Sequence, residues 1–183
     1  MSKNMEKTAE KTKKTWQKED IQKRIERALG CLIKNDATLF KNGANERSLT
    51  HKLALYLEKS FPEYHVDCEY NRMWKDGAEQ GKQIVIDDML NEVATDETHA
   101  TTVYPDIIVH WRENAKNNLL VIEAKKSSNP NRRSDFKKLN AFMREEDTGG
   151  RKYEFSAFVV FDVEDPKNST VEVKDKNENW SYE

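Results

Sequence analysis

The chain has little cysteine: Cys31 and Cys68 stand alone, with no CxxC spacing and no histidine companion. That argues against a disulfide framework or a thiolate zinc site, and both read as reduced thiols in a cytoplasmic protein. No apolar run approaches the ~20 residues that a membrane span needs. The lysines at the N-terminus are not followed by an apolar stretch, so neither a signal peptide nor a membrane partner is expected. Charge of one sign is missing too. The net charge is -2 although 35% of residues are charged, which excludes bulk attraction to nucleic acid and leaves only a local basic patch to provide it. The acidic stretch around Asp87, Asp88, Glu92, Asp96 and Glu97 lacks the alternating Asp/Asn and central Gly of a calcium loop. No internal repeat is present.

What remains is one domain of 183 residues, polar for a globular chain at a mean hydropathy of -0.96, with its apolar residues gathered into strands and helical stripes. Residues 1–15 are Lys/Glu-rich and read as a flexible lead-in to a single domain over 16–183.

The most informative stretch runs from Tyr104 to Lys126. Two short apolar runs, Ile107-Ile108-Val109 and Leu119-Leu120-Val121-Ile122, flank a polar segment holding Asn114, Asn117 and Asn118. This predicts a hairpin of two strands buried on both faces. With the turn centred between Asn114 and Ala115, Asp106 faces Glu123 across the pair, with Cβ atoms roughly 5 Å apart. Lys125, two residues beyond Glu123, shares its face. A one-residue slip would separate the three, so the register carries the prediction. Two carboxylates held this close repel, and one pKa rises unless a cation intervenes. An all-oxygen carboxylate site suits a hard ion, Mg²⁺ or Mn²⁺, and a lysine beside it could orient water or offset phosphoryl charge. The plainer alternative is a structural acid–lysine ion pair at a strand end.

Pro105-Asp106, sixteen residues, then Glu123-Ala124-Lys125 resembles the PD-(D/E)XK signature of the restriction-endonuclease-like nucleases. The resemblance covers roughly Glu46 to Val163 and implies an α/β fold: a central mixed β-sheet flanked by helices in the order α-β-β-β-α-β, here with an extra N-terminal helix. It implies a Mg²⁺-dependent nuclease acting on nucleic acid, DNA ahead of RNA, and more specifically a DNA endonuclease. Asp106, Glu123 and the Ala124 main-chain carbonyl would hold the metal, and Lys125 would position the attacking water. No second domain for sequence recognition is recognisable. A non-catalytic nucleic-acid- or partner-binding module on the same fold is the alternative, and a homodimer is left open.

The rest of the chain fits around that hairpin. Trp16 to Leu39 predicts a helix with Ile21, Ile25, Ala28, Leu29, Leu32 and Ile33 on one face. A second helix runs from Glu46 to Ser60, capped by Asn45 and ended by Phe61-Pro62. Glu46 lies one turn-face before Leu49 and so points inward; it either complements the helix dipole or, as the resemblance implies, joins the metal site. Tyr64 to Arg72 alternates as a half-buried strand, with Val66, Cys68 and Tyr70 inward; Glu69 or Arg72 could reach the site or a phosphate, but both lie most simply on an exposed face. Residues 73–100 read as an insertion containing a short strand at Gln83–Ile86, with His99 on the surface. Lys126, Arg132, Arg133 and Lys137 form the strongest basic run and are the candidate backbone contacts. Ser134 is read as the cap of a third helix from Asp135 to Glu145, whose apolar stripe is Phe136, Leu139, Phe142 and Met143. Lys138 lies at the edge of that stripe, facing the sheet end, and the resemblance makes it a candidate to assist the site. Tyr153–Val163 predicts a core strand, Val171–Val173 an edge strand, and Trp180 a possible anchor.

Overall fold

The computed structural model describes residues 15–70, 72–75, 78–81, 104–112, 118–144 and 153–181. The lead-in over 1–14, the expected strand at Gln83–Ile86, the acidic stretch, His99 and the hairpin turn itself lie outside the described residues.

In chain order the elements are α1 (Lys18–Asn35), α2 (Ala37–Lys41), α3 (Glu46–Ser60), β1 (His65–Cys68), β2 (Arg72–Lys75), β3 (Ala78–Gly81), β4 (Ile107–His110), β5 (Leu120–Lys126), α4 (Arg133–Met143), β6 (Phe155–Phe161) and β7 (Thr170–Asp175). Strands β1, β4, β5, β6 and β7 form a five-stranded mixed sheet in that spatial order, and β2 pairs with β3 in a separate hairpin. The fold is therefore α/β. The parallel step is β5 to β6, and a parallel pair needs a crossover connection, which α4 provides.

The expected register is observed: Ile107 pairs with Ile122, Ile108 with Val121 and Val109 with Leu120. Period-two alternation divides these central strands between two cores. Ile107, Val109, Leu120, Ile122 and Ala124 pack beneath α1, α2 and α3. Ile108 and Val121 pack on the opposite face, with α4, Tyr153 and Trp180. Central strands buried on both faces are why the two runs read as continuously apolar. Leu53 and Leu57 of α3 are fully buried against the first core, each worth about 1.5–3 kcal/mol of apolar transfer.

Helix α3 has the expected bounds. The Asn45 side chain accepts from the Ser48 N–H at 2.8 Å, filling one of the orphan donors at the helix start. Four expectations are corrected. The helix expected over Trp16–Leu39 is split at Asp36, whose carboxylate accepts from the Tyr56 hydroxyl at 2.6 Å and pairs with Lys52. The strand expected over Tyr64–Arg72 stops at Cys68, because Glu69 takes a left-handed φ of 48°; Arg72 belongs to β2 instead. In β1, Val66 packs against the first core as expected, but Cys68 is exposed and Asp67 is drawn inward. Asp67 is taken up by His110 at 2.8 Å and by two Arg112 contacts at 2.6 and 2.9 Å. Helix α4 starts two residues early, with Arg132 at the N-cap, so Ser134 is inside the helix and caps nothing.

The C-terminal tail is anchored. Trp180 is buried, exchanges two backbone hydrogen bonds with the Asn140 side chain of α4, and donates its indole N–H to Ser156. Among the described residues, no helix is long and apolar enough to cross a membrane.

Candidate functional site

Alternation along β5 carries Val121, Glu123 and Lys125 to the α4 face of the sheet, so the chain turns charged while still under the helix. Glu123 is only 1% exposed. Asp106 sits just before β4, at the end of the sheet beside it. Its Oδ2 accepts from the Ala124 N–H at 2.8 Å, which ties the first strand's acid to the second strand's backbone. Lys138, from α4, completes the group, with its Nζ 2.9 Å from Glu123 Oε2. The other carboxylate oxygen, Glu123 Oε1, is buried and has no hydrogen-bond partner. A buried orphan acceptor on an acid is costly.

The electrostatics follow from that crowding. Burial, then the neighbouring Asp106, push the Glu123 carboxyl well above its ordinary value, and the Lys138 ammonium does not fully restore it. Burial also raises Asp106, despite the Ala124 hydrogen bond and the nearby Lys138 charge. Burial works against the Lys138 charge, but Glu123 and Asp106 outweigh it and the ammonium is held more tightly than usual. Two acids that both resist ionisation side by side describe a pocket short of positive charge.

The motif lysine is engaged elsewhere. Lys125 Nζ donates to the Asn131 carbonyl at 3.0 Å and forms a short ion pair with Asp135, both groups being buried. Asp135 Oδ1 also lies 3.9 Å from Lys138 Nζ. The amine placed against Glu123 is thus that of Lys138, and Asp135 links the two lysines. Asp135 stood out in the sequence only as the single acid in a basic run. Its one available signal was the three-residue helical spacing to Lys138.

Glu46 reaches the same end of the sheet. Its Oε2 accepts from the Lys126 N–H at 2.9 Å, and its charge is one of those that raise Asp106. Lys126 Nζ donates to the Ala44 carbonyl at 2.9 Å, so this lysine closes the α3–β5 junction. Arg132 lies over the Phe158 ring at 5.6 Å. Arg133 is exposed and Lys137 half-buried on α4.

On its α3 side Asp106 opens into a cleft of about 610 Å³, lined in part by Glu46, Arg47, His51, Cys68 and Glu69. Glu69 pairs with Arg47 at 2.8 Å, and its N–H donates to the Asp106 carbonyl at 3.3 Å. Holding a non-glycine residue in the left-handed region costs about 1–3 kcal/mol, and such strain gathers at functional sites. Neither Arg47 nor this backbone break was legible in the sequence.

Among the described residues no cluster of three or more His, Cys, Asp or Glu side chains is arranged to hold a metal. Two carboxylates, with the orphan Glu123 oxygen between burial and a second acid, still suit one hard cation if a main-chain carbonyl such as that of Ala124 joins them. Compared with known protein families, curated proteins and solved structures, the chain matches none. Its function must therefore be argued from the site.

Proposed function

We propose that the chain is a divalent-metal-dependent nuclease of the restriction-endonuclease-like type, hydrolysing phosphodiester bonds in nucleic acid, DNA ahead of RNA, by internal cutting. The observation that carries this is the buried, unpartnered Glu123 Oε1 beside Asp106, at the end of two paired strands with an amine in contact. A pair of acids that one lysine only partly neutralises is what a cation would complete. The order α3, β1, β4, β5, α4, β6, with the β2–β3 hairpin inserted, agrees with the α-β-β-β-α-β core of that fold.

In this reading Asp106, Glu123 and the Ala124 carbonyl would hold Mg²⁺, or Mn²⁺, with Glu46 joining directly or through water. The ion, when bound, would lower the pKa of water and offset charge on the phosphoryl group. The chain's own groups do the rest. The Ala124 N–H fixes the Asp106 carboxylate. Lys138 orients Glu123 and carries positive charge to the site. Asp135 links Lys125 to Lys138, and Lys125 would serve the attacking water only on leaving its pair with Asp135. Arg132, Arg133 and Lys137 would meet the phosphate backbone, and Lys126 would shape the surface beside them. A cytoplasmic location fits the free thiols, and a homodimer fits double-strand cutting.

One observation favours the alternative, a non-catalytic binding module on the same fold: Asp135 already occupies the motif lysine. The deciding experiment incubates the purified protein with linear DNA, circular DNA and RNA, in Mg²⁺, Mn²⁺ or EDTA. Cleavage that needs the metal and is lost in Asp106→Ala supports the nuclease. Metal-dependent cleavage unchanged in Asp106→Ala sinks the mechanism, and salt-sensitive binding without cleavage favours the module.

A further inference from the structure

We infer that the cleft beside Asp106 is the seat of one strand of the nucleic-acid substrate, with Arg47 as its phosphate-binding residue and Glu69 as the carboxylate that holds Arg47 until a phosphate replaces it. This deepens the nuclease reading and rests on it. Five observations converge. The cleft shares Asp106 with the acid pair, so whatever fills it lies against the reacting end of the sheet. Its volume of about 610 Å³ lies within the range of small-ligand clefts and suits a short stretch of one strand.

Arg47 projects from the first turn of α3, with His51 one turn further along, and both line the cleft. The Arg47 side chain is 81% exposed and that of Glu69 48%. An ion pair this exposed is weak and readily exchanged, and a guanidinium takes a phosphate in the same forked geometry as a carboxylate. The Glu69 backbone, finally, is in the left-handed region at a non-glycine residue. The fold would be served better there by glycine. A charged residue in that position is explained by what its carboxylate does in the cleft.

The cleft carries three acids, Glu46, Glu69 and Asp106, against one arginine. A phosphate therefore enters on two conditions: a divalent cation at the acid pair, and release of Arg47 from Glu69. Glu69 thus acts as a stand-in for the substrate's anion and raises the threshold for binding strands of low charge density.

The test measures affinity, with Ca²⁺ in place of Mg²⁺ and with EDTA as the contrast, by fluorescence anisotropy of short labelled single-stranded DNA, RNA and duplex DNA. Arg47→Ala is expected to weaken single-strand binding about tenfold and to make its salt slope shallower by about one. Glu69→Gln is expected to tighten it several-fold, because it frees Arg47 and removes a like charge. Glu69→Gly should tighten binding as well and leave thermal stability equal or higher. Effects of opposite sign at two paired residues are what a merely structural ion pair would not give. Unchanged affinity in both Arg47→Ala and Glu69→Gln, or a loss in both, overturns the assignment while leaving the nuclease reading intact. A wild-type protein that binds none of the three probes overturns both.

Discussion

Lys138 Nζ stands 2.9 Å from Glu123 Oε2, whereas Lys125, on the same strand and face as Glu123, is paired with Asp135. The two lysines therefore carry different burdens. Lys138→Met removes the amine in contact with the acid pair and is expected to cut turnover by about 10²–10³-fold, with Lys138→Arg recovering part of it. Lys125→Met is expected to lower turnover as well, but it also takes the nearest cation from the buried Asp135 and leaves only Lys138 at 3.9 Å, a loss of up to about 3–5 kcal/mol in stability. The double variant Lys125→Met, Asp135→Asn should regain much of that stability without regaining turnover. Single-turnover rates and denaturant midpoints separate the two effects. Equal stability of Lys125→Met and wild type would show that the ion pair contributes nothing to the fold.

Asp106→Asn offers a cleaner cut than alanine. The amide oxygen can still accept from the Ala124 N–H, so the strand ends stay joined, while the charge is gone. Metal-dependent cleavage is expected to fall by about 10²–10³-fold, with the thermal midpoint unchanged or raised, since a desolvated acid has been removed. Retained cleavage in a folded Asp106→Asn protein would remove Asp106 from the site.

Two carboxyls give the stability opposite pH dependences. Glu123 has a raised value in the folded state, so between its ordinary value and that raised one the folded chain keeps a proton the unfolded chain has lost. Its contribution to stability is then lost as pH rises through the window, by about 1.4 kcal/mol for each unit of pH. For Asp67, burial opposes the charge, but His110 and Arg112 outweigh it and depress the value strongly. Its contribution is present above the unfolded value and is lost as pH falls toward the folded one. Denaturation curves against pH should thus show Glu123→Gln gaining on wild type toward alkaline pH and Asp67→Asn losing most near neutrality. Parallel curves for Glu123→Gln and wild type would contradict the burial of that acid.

The sequence made the middle of the sheet legible because two apolar runs separated by asparagines favour the register that the structure has, and a one-residue slip from it would part Asp106 from Glu123. The bounds of α3 were equally legible, since Asn45 caps and Pro62 stops. Local chemistry determined these features. Tertiary partners determined those that escaped. The split at Asp36 depends on Tyr56 and Lys52, and the inward turn of Asp67 on Arg112 and His110. The pairing of Lys125 with Asp135 needs α4 to be folded back over β5. Glu69 took a conformation that composition gives no reason to expect outside glycine.

The Glu46 carboxylate meets the Lys126 backbone across 80 residues of chain, and Ala44 meets the Lys126 amine across 82. Contacts so distant along the chain cannot form until both segments have been made. A ribosome that has released the protein only as far as β4 has emitted Asp106 but neither Glu123 nor Lys138. The acids and the amine gather only once α4 has emerged and turned back onto the sheet. A growing polypeptide therefore holds its two acids and the amine apart until α4 has been made.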